Sequence, residues 1–370
     1  MAIFKKTLVA ALCAGAALNS ACTARRSWPV SDHCDGNVFF NPTLPKGAEP
    51  GWRDMFRLAR DPRGEWPGQV ANTARPNLAL PLGASDIALT FVNHATFLIQ
   101  LPGCAILTDP VWSERVSPVS WAGPARIRKP GVDFNALPKI DLILISHNHY
   151  DHLDLETLRR LKARGDDPLV LVPLGDREIV SALGFTKVRE LDWWQSSEVT
   201  EGVKVVFTPT QHFSGRTLWD RQRTLWGSYM IQAQGRNLYF GGDSGYSSHF
   251  AEIRRRLGAA DLALLGIGAY SPRWFMARMH MDPSEAVQAH QDLGSALSVG
   301  MHFETFRLSS EAYGQPERDL AEALRKAGIG TETFVTLQDG ETRLLRIPIR
   351  RDPSPMFADR RFAEGIPPCL

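Results

Sequence analysis

The stretch Asp141–Asp154, DLILISHNHYDHLD, decides the reading of this chain. Four apolar residues in a row, Leu142 to Ile145, have the look of a short buried strand. Three histidines and an aspartate then fall within six positions: His147, His149, Asp151 and His152. A turn after a strand ordinarily uses Gly, Asn, Ser or Pro, the residues that turn geometry favours. Neutral imidazole is instead the commonest metal ligand in proteins, and Asp adds a charged oxygen. Alternate residues on a short loop can aim at one point while the adjacent Asp-His pair aims at another. The pattern His-x-His-x-Asp-His therefore reads as two metal ions side by side. The chain has ten histidines in all, so three in six positions is poorly explained as a polar loop that happens to be rich in His.

The rest of the chain sets the frame. Its 370 residues are 44% hydrophobic and 22% charged, ordinary values for a globular protein with a real core. A net charge of +2 and a pI near 8.3 are too mild to argue for a nucleic-acid partner. The first residues differ: Lys5 and Lys6, an apolar run from Leu8 to Leu18, then small residues before Cys22. Residues 1–21 read as an export signal, too short to span a bilayer. Its end is similar to a bacterial lipoprotein signal, which would leave a lipidated Cys22 at a membrane surface of the cell envelope or periplasm. Ordinary cleavage near Ala21 or Ala24 is the alternative. With Cys13 removed and Cys22 lipidated, Cys34, Cys104 and Cys369 remain, and a Cys34–Cys369 bridge is conceivable in an oxidising compartment.

Residues 22–80 are rich in Pro, Gly, Trp and charge with little periodicity, and read as an irregular extension packed on a main body spanning 81–370. Regular signals start with three apolar runs, IALTFV, FLIQL and CAILT. Strands and helices alternate after the histidine cluster. WGSYMIQA and NLYFGG form a hairpin, and DPSEAVQAHQDLG opens with Asp282 as N-cap, Pro283 at the first helical position and Glu285 at the third. Two metals need more than four ligands, and further ligand-type residues follow apolar runs: His212 after VKVVFTPT, Asp243 after NLYFGG and His302 after ALSVGM. Strands ending on one edge would gather them, and a set spanning 147 to 302 disfavours two independent halves. His94 and Asp109 follow the same design upstream. They could be ligands themselves, but a metal pair already has enough, and they are read by preference as groups that orient the ligating imidazoles.

With these residues in hand, the chain resembles the metallo-β-lactamase superfamily. Within it the chain resembles the N-acyl-phosphatidylethanolamine-hydrolysing phospholipase D family, through LTDPVWSERVSP, GPARIRKP, ISHNHYDHLD, FTPTQHFSGRTLWD, GGDSGY, IGAYSPRWFM and MHMDPSEAV. The resemblance implies an α/β fold, an αββα four-layer sandwich, and two Zn2+ per chain. His147, His149 and His212 would hold one zinc, Asp151, His152 and His302 the other, and Asp243 would bridge them. Asp151 and Asp243 are the candidate catalytic carboxylates. The family's substrate-contacting Tyr and His match Tyr150 and His280. The implied reaction is hydrolysis of a phospholipid by a metal-bridging hydroxide, giving phosphatidic acid and an N-acylethanolamine. Arg273 is placed to reach a phosphate, and Trp274 to line a slot for acyl chains. The basic run Arg126–Lys129 is a candidate for anionic headgroups. A lactonase or amide hydrolase on the same site is the competing enzyme, and a zinc-binding envelope lipoprotein the non-catalytic one.

Overall fold

The computed structural model describes residues 27–45 and 51–346. The export signal, Cys22 and Cys369 lie outside the described residues; Cys34 and Cys104 are buried free thiols. Among the described residues no helix is long and apolar enough to cross a membrane.

The first sheet is built from β1 (Ile87–Asn93), β2 (Thr96–Leu101), β3 (Cys104–Thr108), β4 (Leu142–Leu144), β5 (Leu169–Pro173) and β6 (Val188–Leu191), with a late strand, β14 (Thr342–Leu345), on its edge. The second contains β7 (Ser196–Thr200), β8 (Val203–Thr208), β9 (Ser228–Ala233), β10 (Arg236–Phe240), β11 (Leu262–Gly266), β12 (Leu297–Met301) and β13 (Phe334–Val335). The orders are β14-β1-β2-β3-β4-β5-β6 and β13-β12-β11-β10-β9-β8-β7. Each sheet is antiparallel through its meander and parallel through its crossovers. Parallel strands are covered on both faces, which is why LILI and LALL are unbroken apolar runs instead of alternating ones.

Helices supply the outer layers. α2 (Leu155–Ala163) and α3 (Arg177–Ser181) cross over the first sheet. α4 (His249–Leu257), α6 (Pro283–Asp292) and α7 (Gln315–Ala327) cross over the second. The two faces of β4 make the layering explicit. Leu142 and Leu144 point into the core between the sheets, with Phe207, Tyr229 and Ile231 of the second sheet. Ile143 packs outward with Leu158, Leu161 and Val180 of α2 and α3. The αββα sandwich that the resemblance implies is the fold observed.

Three elements differ from the sequence reading. α1 (Trp52–Leu58) is a helix inside the stretch read as irregular; Asp54 accepts from the Gly51 N–H at 2.8 Å and closes its first turn. β7, SSEVT, is an exposed polar edge strand, which gives no hydrophobic period to detect. α5 (Arg273–Met276) is a single turn within the loop after β11. The rest of the extension is pinned to the body, for instance by Trp66 Nε1 donating to Glu311 O at 2.8 Å and Val70 N to Ile127 O at 2.7 Å.

Gly242 marks where the sheets meet beyond their strand ends. It adopts φ +55°, and a Cβ there would sit 2.7 Å from Ser146 Cβ of the first sheet. Gly227 N donates to Ser146 O at 3.0 Å beside it. This close approach joins the loop after β4 to the loop after β10, and so brings the histidine cluster to Asp243.

Candidate metal centre

β1, β3, β4, β8, β10 and β12 all run the same way within their sheets, so the loops that follow them share one edge. Those loops carry His94, Asp109, His147–His152, His212, Asp243 and His302. The backbone is unusual at several of them: His94, Asp109 and His302 have φ of +48°, +30° and +62°. Positive φ at a residue other than Gly is strained and persists where the surroundings impose it, commonly at functional sites.

Two groups of donor atoms converge. His147 Nε2 and His212 Nε2 lie 2.8 and 3.3 Å from His149 Nδ1. Asp151 Oδ2 lies 3.5 Å from His152 Nε2 and 3.4 Å from His302 Nε2. Asp243 Oδ2 stands between the groups, 3.1 Å from His152 Nε2, 3.2 Å from His302 Nε2, 3.6 Å from His212 Nε2 and 3.9 Å from His147 Nε2. The seven residues read as ligands are thus brought close together, and His94, Asp109 and His280 lie within reach of them.

A second layer fixes which nitrogen faces inward. Asp109 Oδ2 accepts from His152 Nδ1 at 2.6 Å and from Ser146 Oγ at 2.6 Å. Ser146 Oγ in turn meets His147 Nδ1 at 2.9 Å, and His212 Nδ1 donates to Met279 O at 2.9 Å. With Nδ1 held by these partners, each of these rings turns its Nε2 toward the centre. His94 Nε2 lies 3.0 Å from Asp151 Oδ2, the same oxygen that faces His152 and His302, and so stands within that donor group.

The donor set fits metal ions. Asp243 Oδ1 is buried without a hydrogen-bond partner, and the buried Nε2 atoms of His152 and His302 face the Asp243 carboxylate, a costly gathering unless a cation satisfies it. Burial holds His147 well below its ordinary pKa, His149 down to about 4 and His212 to about 3. Neutral imidazole is the form that ligates metal. Burial acts the same way on His302, yet Asp243 and Asp151 outweigh it and push its pKa up to about 9. Two buried carboxylates at this point require positive charge.

His280 is half-buried, with Nδ1 4.0 Å from Asp243 Oδ2 and its ring 5.1 and 5.2 Å from those of His212 and His302. It overlooks the shared carboxylate from between the two groups. Tyr150 donates its hydroxyl to Arg216 O at 2.9 Å, and its ring lies under the Arg216 guanidinium at 4.0 Å.

Two placements correct the sequence reading. Arg273 does not extend toward a phosphate: its guanidinium is held by Glu285 at 2.6 Å, Asp282 at 3.3 Å and the carbonyl of His280 at 2.8 Å. It ties the His280 turn to the start of α6. In the run Arg126–Lys129, Arg126 is buried against the carbonyls of Ser113 and Val111, and Arg128 pairs with Asp339 at 2.8 Å. Both arginines serve the fold. Trp274 is half-buried, with the Arg57 guanidinium of α1 stacked 4.0 Å over its ring.

Residues that gave no sequence signal also shape the centre. Asn148 bonds outward, to Asp176 at 3.1 Å, Thr224 at 2.9 Å and Gly215 N at 2.8 Å. Burial pushes the Asp176 carboxyl up to about 8, against the Asn148 bond that lowers it. An acid whose folded pKa is raised contributes stability that is complete below the unfolded pKa and lost as pH rises through the folded one. Between pH ~4 and about 8 the loss is about 1.4 kcal/mol per pH unit. Asp176→Asn removes this dependence, so the variant should gain on wild type steadily as pH rises from 5 to 8. Urea unfolding at each pH checks it, and parallel curves would exclude the effect.

Fold and site together define a metal-dependent hydrolase of the metallo-β-lactamase fold. The beta-lactamase superfamily domain matches residues 105–303. An uncharacterized Mycobacterium tuberculosis protein is 43% identical over 266 residues, 68% of this chain and 70% of its own. The N-acyl-phosphatidylethanolamine-hydrolyzing phospholipase D 1 of Caenorhabditis elegans is 33% identical over 338 residues, 83% of this chain and 92% of its own. Among solved structures, the metallo hydrolase Igni18 of Ignicoccus hospitalis superposes with a TM-score of 0.54 at 22% identity, covering 71% of this chain and all of that one. The chain belongs to the metallo-β-lactamase superfamily and, within it, to the N-acyl-phosphatidylethanolamine-hydrolysing phospholipase D-like family.

Proposed function

We propose that this protein is a zinc-dependent phosphodiesterase that cleaves N-acyl-phosphatidylethanolamine-like phospholipids to phosphatidic acid and an N-acylethanolamine. The observation that carries the reading is the pair of donor groups sharing Asp243, with the His280 imidazole directly beside the shared carboxylate. The nematode relative, whose name states this activity, supports it over most of its length.

His147, His149 and His212 would hold one zinc ion and Asp151, His152 and His302 another, and the bound metals would supply Lewis acidity for water activation and for charge on a phosphoryl group. The protein's own residues do the rest. His94 and Asp109 keep Asp151 and His152 in one orientation, so the ligands need no rearrangement during turnover. Burial lowers the His280 pKa to about 3 and leaves its imidazole neutral, free to hydrogen-bond a phosphoryl or leaving-group oxygen without repelling the cations nearby. Arg273 fixes the turn that presents it.

The competing reading is attack on a carbonyl, as in a lactonase or amide hydrolase. Hydrolysis in oxygen-18 water separates the two. On an N-acylated phosphatidylethanolamine, label is expected in the phosphate of phosphatidic acid. Label in a carboxylic acid product, with none in phosphate, would establish the carbonyl hydrolase instead.

A further inference from the structure

His212 sits on the long loop between β8 and β9, and it is bound from an unexpected direction. The Asn41 side chain, outside the matched superfamily domain, donates from Nδ2 to the carbonyl of His212 at 2.7 Å. Its Oδ1 accepts the backbone N–H of the same residue at 3.2 Å and Trp226 Nε1 at 3.2 Å. One amide therefore grips both backbone polar groups of a ligand residue. The ring is fixed separately, by His212 Nδ1 donating to Met279 O. Backbone and side chain are held from two sides, leaving Nε2 aimed at His149 and Asp243.

Asn41 is itself well anchored. Phe39, two residues earlier, is buried in the core between the sheets, and its N–H donates to Gln222 O at 2.9 Å. Further back, the His33 ring lies between Asp32 at 2.6 Å and Asp192 at 2.8 Å and stacks 4.4 Å from Trp193. Trp28 Nε1 reaches Arg223 O at 3.3 Å. Residues 27–45 thus form a strap across the loop that carries His212, with Asn41 as its contact with the centre. On its far side Thr43 Oγ1 donates to Gln211 Oε1 at 2.8 Å, touching the neighbouring residue but not the ligand.

We infer that Asn41 is a positioning residue for the His147–His149–His212 metal site, so the N-terminal strap is a working part of the centre. This rests on the metal-binding reading above. Groups that orient a ligand contribute about 10–100-fold in metal affinity. The loss on removing Asn41 should fall on the three-histidine site, because among the described residues its side chain bonds to His212 and Trp226, and not to Asp151, His152 or His302.

The test uses the metal-free full chain, titrated with Co2+ and followed by its visible absorption, with Zn2+ affinities from chelator competition. Wild type is expected to take up two ions. Asn41→Leu should keep its unfolding temperature within a few degrees, weaken one ion by about 10–100-fold and change that ion's cobalt spectrum. Thr43→Val should match wild type in both. Should Asn41→Leu fail to fold, Asn41→Ser, too short to reach His212, serves in its place. Two unchanged affinities and an unchanged spectrum in a folded Asn41 variant would overturn the inference. So would an equal loss in Thr43→Val, since the strap's general attachment would then be responsible. A wild-type chain that binds neither ion would instead sink the reading of the centre itself.

Discussion

Asp243→Asn is expected to abolish hydrolysis, by about a thousand-fold or more, and to lower metal content while the protein stays folded. Asp243 Oδ2 lies within 4.0 Å of nitrogens of five imidazoles: His147, His152, His212, His280 and His302. The carboxylate offers charge to both donor groups at once. Asparagine keeps the shape but removes that charge, and its NH2 would face the cations or compete with them for the imidazole nitrogens. Lewis-acid catalysis contributes several kcal/mol of charge stabilisation, and each 1.36 kcal/mol is tenfold in rate. The fold should survive because the core between the sheets lies along the strands, below the edge where this loop sits. Elemental analysis and turnover of the purified variant check both halves. Wild-type activity with two metals retained would remove Asp243 from the centre.

How much of this was legible in the sequence depends on whether the signal is local. LILI followed by HNHYDH is legible because four apolar residues and three histidines are adjacent in the chain. His212, Asp243 and His302 follow because each closes an apolar run, and parallel strands place their following loops on a common edge. The strands end a few residues earlier than the apolar runs suggest, at Thr208 and Phe240, so short loops carry the ligands to the centre. Arg273 was misleading for a physical reason. A guanidinium beside apolar residues in a loop suits a phosphate, but it suits the acidic first turn of a neighbouring helix equally well. Its partners Asp282 and Glu285 were visible as a capping box, yet nothing local says that Arg273 turns toward them. Asn41 is more distant still, 171 residues from His212. It lies in a stretch without periodicity, and only the tertiary fold shows what its amide grips.

Arg216→Leu should be the most damaging change outside the ligands themselves. Arg216 is half-buried, and its Nη1 donates to the carbonyls of Asn148 and Leu153, both at 2.8 Å. These carbonyls bracket the residues that include His149, Asp151 and His152, so one cation closes the ends of the metal loop. The guanidinium also covers the Tyr150 ring in the middle of the loop, and Tyr150 bonds back to the Arg216 carbonyl. Leucine fills part of the space but leaves both carbonyls without this donor. Hydrogen bonds to charged groups contribute about 1.5–3 kcal/mol each, so losing two should cost about 3–6 kcal/mol. Lysine retains a charge but not the planar fork, and Arg216→Lys should recover only part of it. Because the clip spans ligands from both donor groups, both metals should weaken together, unlike the single-site loss expected at Asn41. Chemical denaturation and metal titration of the same variant therefore carry the argument. Unchanged stability, or weakening of one metal alone, would show that the loop holds its shape without this clip.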